Sequence, residues 1–430
     1  MEKLMQYVWQ HRLWSAVPMT TVSGERIDVL DPGLLNTGSG PDFFNAKIMI
    51  GSRLWAGNVE IHVRASDWAR HGHTADHAYD NVILHVVGND DSRVLRADGS
   101  EIPQIVLRCA PDLRHHFDAL VSHFGDGPAC ADALPSFAPL YLTDWLSALG
   151  YERLYRKREH AAALAERFEG DWTAAIYVLL ARALGFGTNA EPFERLALSL
   201  PLRTLLKHGD SAISVEAMLF GQAGFLEAMP DDDPYCARLN EEYTFMRAKF
   251  GLQPPRSLGW KTGRIRPQNM PHRRIALLAA MVAGGFRAGY GIMDITDVAS
   301  ARALFDVAPS DYWRRRYTFG AEAAAFVPRV LSDASVASLI INVVAPILSA
   351  YGAAYGRPEL HERAVDILSA LPPENNSPVR AFTEAGVRCP DAFTSQALIE
   401  LRRSYCDTRK CLYCRIGHRL LARKAIIRDS

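Results

Sequence analysis

The chain has 430 residues, 48% of them hydrophobic, enough for two or three domains of ordinary globular composition. Its formal net charge of zero removes any global electrostatic case for nucleic acid, so such a case has to come from local patches. Met1-Glu2-Lys3-Leu4 carries no basic-then-apolar leader, and the seven cysteines, four of them between 389 and 414, suit a reducing cytoplasm and a local metal site better than a disulfide framework.

In chain order, residues 4–14 have an amphipathic helical pattern. Strand signals follow at 27–30, 43–50, 59–63 and 82–87, and Asp98-Gly99 marks a hairpin turn. The Pro/Ala-rich stretch 128–139 reads as a domain boundary. Beyond it the pattern is helical, with helices expected over 142–168, 172–184, 193–206, 215–228, 233–250, 271–283, 336–348, 358–370 and 395–406. The uncharged stretch 334–356 contains Asn342, Pro346 and Ser349 and reads as a buried helix and turn, not a membrane span. Three parts result: an α/β domain over 1–130, a helical domain over 140–385, and a basic, cysteine-rich module over 386–430.

Chemistry concentrates in Gly40-Pro41-Asp42-Phe43 and, eighteen residues after the aspartate, Val59-Glu60-Ile61-His62. Side chains alternate along a strand, so Glu60, His62 and Arg64 share one face and Val59, Ile61 and Val63 the other. A carboxylate in an apolar strand needs a partner, and Asp42 with a hard divalent cation supplies one. The bland alternative is an edge strand whose polar face lies in water. The segment from Ser66 to Asp80 is dense in His and Asp; His73 and Asp76 are candidates beside Glu60, and zinc near His71 or His73 is an alternative, although the spacing matches no zinc pattern. Glu2 is a further candidate ligand from the first helix, and His85 reads as a hydrogen-bonded core histidine.

This arrangement resembles the metal centre of the PD-(D/E)XK nuclease superfamily. Asp42 and Glu60 stand at its two acidic positions, in an α-β-β-β-α-β order of elements. The resemblance implies Mg²⁺ or Mn²⁺ at the carboxylates and hydrolysis of DNA or RNA. His62 departs from it, standing where the superfamily usually has lysine; it is assigned to orient or deprotonate water.

At the C-terminus Cys406, Cys411 and Cys414 form a C-x4-C-x2-C run that can wrap a thiophilic ion, with Cys389 or His418 as the fourth ligand. Zinc is the first expectation there and an iron–sulfur cluster the second. Three basic stretches are candidate nucleic-acid contacts. Residues 256–274 hold six Lys and Arg and no acid, including Lys261, Arg264 and Arg266, with Asn269 beside them. Residues 402–430 hold nine, Arg409 and Lys410 among them. Trp313-Arg314-Arg315-Arg316 adds an aromatic platform, and Arg64 adds a cation beside Glu60.

Several long motifs, Tyr7-Val8-Trp9-Gln10, Ser66-Asp67-Trp68, Phe220-Gly221-Gln222-Ala223-Gly224 and Arg264 through Asn269 among them, are similar to a family of uncharacterised bacterial proteins that share a domain of unknown function, number twenty-eight fifty-one. That family implies no activity. The expectation is therefore a cytoplasmic, metal-dependent nuclease-like protein acting on nucleic acid. The alternatives are a non-catalytic nucleic-acid-binding protein on a degenerate nuclease fold, and an unrelated zinc protein built on the His/Asp-rich segment. Walker A, nucleophile-elbow and dinucleotide fingerprints do not occur in a strand-to-helix setting.

Overall fold

The computed structural model describes residues 1–14, 18–36, 38–109, 111–122, 127–230, 232–320 and 322–426. Arg428 and the side chains of Arg423 and Lys424, counted in the C-terminal basic stretch, lie outside the described residues. The chain divides into two compact units, one made of Met1–Ala138 with Arg402–Ser430, the other of Pro139–Leu401.

The first unit opens with α1 (Glu2–Gln10), which buries Leu4, Met5, Val8 and Trp9. It ends before the expected residue 14, because Arg12 turns at φ 54° and Trp14 leaves the helix to bridge Cys109. The sheet strands are β1 (Met19–Thr20), β2 (Arg26–Asp31), β3 (Leu34–Leu35), β4 (Phe43–Ile50), β5 (Arg53–Arg64), β6 (Val82–Asn89) and β7 (Gln104–Val106). They lie in the order β1-β2-β4-β5-β6-β7, with β3 paired to β4. Pairing is antiparallel from β1 to β5 and parallel for β5–β6 and β6–β7.

The switch follows from the connections. A two-residue link suffices for the antiparallel β4–β5 pair, while the parallel β5–β6 pair needs a crossover, which residues 65–81 supply. That crossover is α2 (Asp67–Arg70) and two single 3-10 turns, His73–Ala75 and His77–Tyr79.

Alternation along β5 gives the sheet two cores. Val59 and Ile61 pack with Phe43, Ile48, Leu84, Val86 and the apolar residues of α1. Ala65, Trp68, Tyr79, Val82 and Val87 form a second cluster under the crossover. Leu412 and Leu421 of the returning C-terminal segment are buried in the first core, and the last helix (Arg415–Ile426) packs on α3 (Pro111–Ser122). Residues 402–430 thus cluster with residues 1–138; the separate module expected from 386 reflects a local cysteine spacing that carries no information about distant packing.

The second unit is helical, built on α4 (Pro139–Arg167) and α5 (Trp172–Leu184). The stretch expected as one helix over 193–206 is two, Ala190–Ser199 and Leu202–Leu206, because Pro201 between them has no N–H to donate. Asp333–Ala354 is long and apolar enough to cross a membrane, and 78% of its most apolar window is buried inside the protein, as in a core helix. A π segment, Ile340–Val344, interrupts it, and a second, Leu401–Cys406, follows helix Ala392–Glu400 as the chain returns to the first unit.

Candidate metal centre

Asp42 enters from the turn before β4, where Gly40 takes φ 95°, a conformation that favours glycine. Beside it β4 is bulged: Phe43 pairs with Val59 but Ala46 with Gly57, and Asn45 takes up the extra residue at φ 58°. A second shift lies across β5, where Asn58 pairs with Val82 and Val59 with Leu84. Bulges re-aim side chains, and these two flank the level of Glu60.

The two acids are locked together. The Asp42 N–H donates to Glu60 Oε2 (3.0 Å), the Ile61 N–H to Asp42 Oδ2 (3.0 Å), and Gln6 Nε2 to Asp42 Oδ1 (2.9 Å). Glu60 is 5% exposed on a central strand, so the edge-strand reading fails. Desolvation and then the Asp42 charge push Glu60 up to about 9. Desolvation also raises Asp42, less far, against the hydrogen bonds from Gln6 and Ile61. Glu2 adds to the rise at both acids. It stands one helical turn before Gln6, on the same side of α1.

With its Oε2 held, Glu60 turns Oε1 toward imidazoles. His62 Nε2 and His73 Nε2 each lie 3.4 Å from it, and His71 Nδ1 is 3.2 Å from His62 Nε2. One donor atom from each of His62, His71 and His73 lies within 4.8 Å of the other two. Gly72, at φ 75°, folds the His71-Gly72-His73 segment back over the sheet. Trp68 and Tyr79 wall the site, with Tyr79 stacked on His73 at 3.8 Å and Trp68 edge-on to His73 and His85.

Hydrogen bonding fixes the proton on each buried imidazole. Gln104 donates its Nε2 to Asp90, which leaves Oε1 facing His85 Nδ1 at 2.9 Å. A carbonyl oxygen only accepts, so His85 carries its proton on Nδ1 and offers a lone pair at Nε2. His62 Nδ1, 2.8 Å from that lone pair, must donate to it. Neutral His62 then presents a lone pair at Nε2, beside Glu60 and His71. Burial lowers His62 to about 3 and His85 to about 4, so both are neutral near pH 7.

The arrangement fits an ion. Donors about 2.1 Å from a tetrahedral metal stand about 3.4 Å apart, close to the 3.4, 3.4 and 3.2 Å found here. Metal-ligating histidines characteristically donate their other N–H to an acceptor that fixes the ring, as His62 does to His85.

The remaining candidates are scattered. Arg64 is exposed at the end of β5, and its N–H donates to Asp67 Oδ2 (3.2 Å). Asp76 caps the 3-10 turn at His77. In the helical unit Lys261, Arg264 and Arg266 are exposed, and Asn269 accepts from Arg274 Nη2 (2.7 Å). Arg273 and Arg274, counted in the same basic stretch, are buried, and Arg273 donates to the Trp313 carbonyl at 2.9 Å. Trp313 is buried and stacks on Phe220, so it is core and not a platform for bases; Arg315 and Arg316 pair with Glu322. Arg409 and Lys410 are exposed in the C-terminal segment of the first unit. Cys389 lies in the helical unit with its thiol on the Asp391 carbonyl (3.8 Å), while Cys406, Cys411 and Cys414 lie in the first unit.

Sequence reasoning missed Gln6, Asp90 and Gln104, which act through other residues. The signal for His71 and His73, an H-x-H beside a strand that carries E-x-H, was present.

Fold and site define a protein of two units, an α/β unit with a histidine–carboxylate cluster and a mostly helical unit. The chain belongs to the family described as "Protein of unknown function (DUF2851)", whose pattern matches residues 2–377. Neither a curated protein nor a solved structure matches it.

Proposed function

We propose that the first unit is a metal-dependent hydrolase of phosphodiester bonds in nucleic acid, on a fold of restriction-endonuclease type. The observation that carries the metal centre is the grouping of His62, His71 and His73, one donor atom of each within 4.8 Å of the other two, with Glu60 Oε1 3.4 Å from His62 Nε2 and His73 Nε2 and backed by Asp42. Support for the reaction is the succession of elements: helix, antiparallel strands, crossover, parallel strand. One acid precedes β4 and one sits on β5, as in the PD-(D/E)XK arrangement.

Three imidazoles favour Mn²⁺ or Zn²⁺ over Mg²⁺, the better match for an all-oxygen set. When bound, such an ion polarises a phosphate and lowers the pKa of a coordinated water. Asp42 orients Glu60. His62, its Nδ1 committed to His85, serves as a ligand and not as the base for water. His71, exposed at the rim, is the donor most readily exchanged for substrate or water. Arg64 supplies a cation on the same strand.

The second reading, binding without cleavage, draws on the imidazole at position 62 where a nuclease of this type carries lysine. Purified protein is incubated with labelled single- and double-stranded DNA and RNA in Mn²⁺, Zn²⁺, Mg²⁺ or EDTA, beside Glu60→Gln and His73→Ala. Metal-dependent cleavage lost in both variants is expected. Equal binding by all three proteins without cleavage favours the second reading, and neither binding nor cleavage sinks both.

A further inference from the structure

The helical unit holds a cavity of about 350 Å³ that the proposed reaction does not use. Its walls come from the end of α4 and the turn after it, from α5, and from the two short helices Ala190–Ser199 and Leu202–Leu206. Asp171, Ala174, Tyr177 and Val178 all line it, and steps of three and four residues put them on one face of α5 and its cap. Phe168, Val178, Leu198 and Leu202 make the walls apolar, and the small Ala174 and Ala197 leave room between the helices. The volume lies at the lower end of the range for small-molecule sites.

Tyr177 brings this lining a polar group with nothing to bond. The residue is 1% exposed, and its hydroxyl has no hydrogen-bond partner among the described residues. Burial alone raises the phenol above its ordinary value, so it is neutral and can both donate and accept. An unpaired buried hydroxyl costs stability that a bound polar group would restore.

The exposed part of the lining carries both signs, Arg167 and Arg203 against Glu169 and Asp171. Among the described residues neither arginine has an ion-pair partner. Asp171 Oδ1 accepts the Ala174 N–H (3.0 Å), and Glu169, at φ 54°, is held in the turn by its own N–H on the Glu166 carbonyl (3.0 Å). A simple anion would meet the two carboxylates here, and a simple cation the two guanidiniums. A zwitterion suits all four.

We propose that this cavity binds an aromatic α-amino acid whose ring carries a hydrogen-bonding group, as a phenol or an indole does. The ligand carboxylate pairs with Arg167 and Arg203, and its ammonium with Glu169 and Asp171. The ring lies between the apolar walls, and its polar tip meets the Tyr177 hydroxyl. The assignment is independent of the histidine–carboxylate centre and of any activity there.

The test uses the full chain in EDTA, which keeps that centre free of metal. Calorimetry is run with L-tyrosine, L-tryptophan, L-phenylalanine and tyramine, beside Tyr177→Phe and Arg203→Ala. Wild type is expected to bind L-tyrosine or L-tryptophan about tenfold more tightly than L-phenylalanine, which lacks the polar tip. Tyramine, which lacks the carboxylate, binds more weakly still. Tyr177→Phe erases the preference over L-phenylalanine, and Arg203→Ala weakens binding of all three amino acids about tenfold. Without ligand, Tyr177→Phe melts no lower than wild type, because it loses no hydrogen bond. A lower melting temperature in that variant assigns the hydroxyl to the fold and overturns the proposal. So does the absence of binding by all four probes, equal affinity for L-phenylalanine in wild type, or binding that neither variant alters.

Discussion

Replacing Glu60 with glutamine should remove the pH dependence of metal binding, and the size of that dependence follows from the site. Burial and the charge of Asp42 hold the Glu60 carboxyl up at about 9, so in the metal-free protein it keeps its proton through neutral pH. A cation binds the carboxylate, so each ion taken up expels that proton. His62 and His73, both lowered by burial, are neutral and have none to give. One proton per ion makes Kd tighten tenfold per pH unit. Between pH 7 and 8.5 the gain is about 30-fold, or about 2 kcal/mol. Calorimetry with Mn²⁺ in two buffers of different ionisation enthalpy reads both the affinity and the proton count. Wild type should release about one proton per ion at pH 7.5, and Glu60→Gln should bind more weakly with a flat profile. A flat wild-type profile would refute the reasoning, as would a Glu60→Gln protein that keeps the slope, since its proton would then come from elsewhere.

Other consequences can be checked together. In EDTA the contribution of Glu60 to the stability of the first unit should fade as pH rises from 4.5 toward about 9, because a raised carboxyl stabilises the fold fully only below its unfolded value and loses that contribution as pH climbs to its folded one; thermal melts of wild type and Glu60→Gln should diverge over that range. His62 has the opposite sign, since its lowered value makes its contribution present above about 6.5 and lost as pH falls toward 3. His85→Phe leaves the His62 N–H without an acceptor and should weaken metal binding about 10- to 100-fold with the sheet intact by circular dichroism. Leu84→Ala, at a fully buried position of β6, should cost about 2–5 kcal/mol in urea unfolding followed by tryptophan fluorescence. If the helical unit holds nucleic acid, Arg264→Ala and Arg266→Ala should each reduce the salt slope of binding by about one; Arg273→Met should leave the slope alone and destabilise the unit by about 1–3 kcal/mol.

Much of the framework was legible because it is local. The strand at 43–50 and the helices at 172–184, 271–283 and 358–370 have the boundaries that hydrophobic period and Gly/Pro punctuation indicate. The meeting of Asp42 and Glu60 was legible for a similar reason, an acid in a glycine turn feeding one strand and an acid inside the next. What escaped depends on distant pairing. His85 looked like a satisfied core histidine, and it is one, but its partner is His62, and Gln104 reaches it only because β7 runs parallel to β6. His71 and His73 carry no zinc spacing because Glu60 and His62 come from another segment. Charge counts along the chain gave no warning that Arg273, Arg274 and Trp313 are interior.

The most direct test is diffraction from crystals grown with Mn²⁺ or Zn²⁺, with data collected at the absorption edge of the ion. The account predicts an anomalous peak enclosed by Glu60 Oε1, His62 Nε2 and His73 Nε2, absent in crystals of Glu60→Gln. Ordered side chains at this position with no peak between them, under an ion concentration that saturates sites elsewhere in the chain, would contradict it.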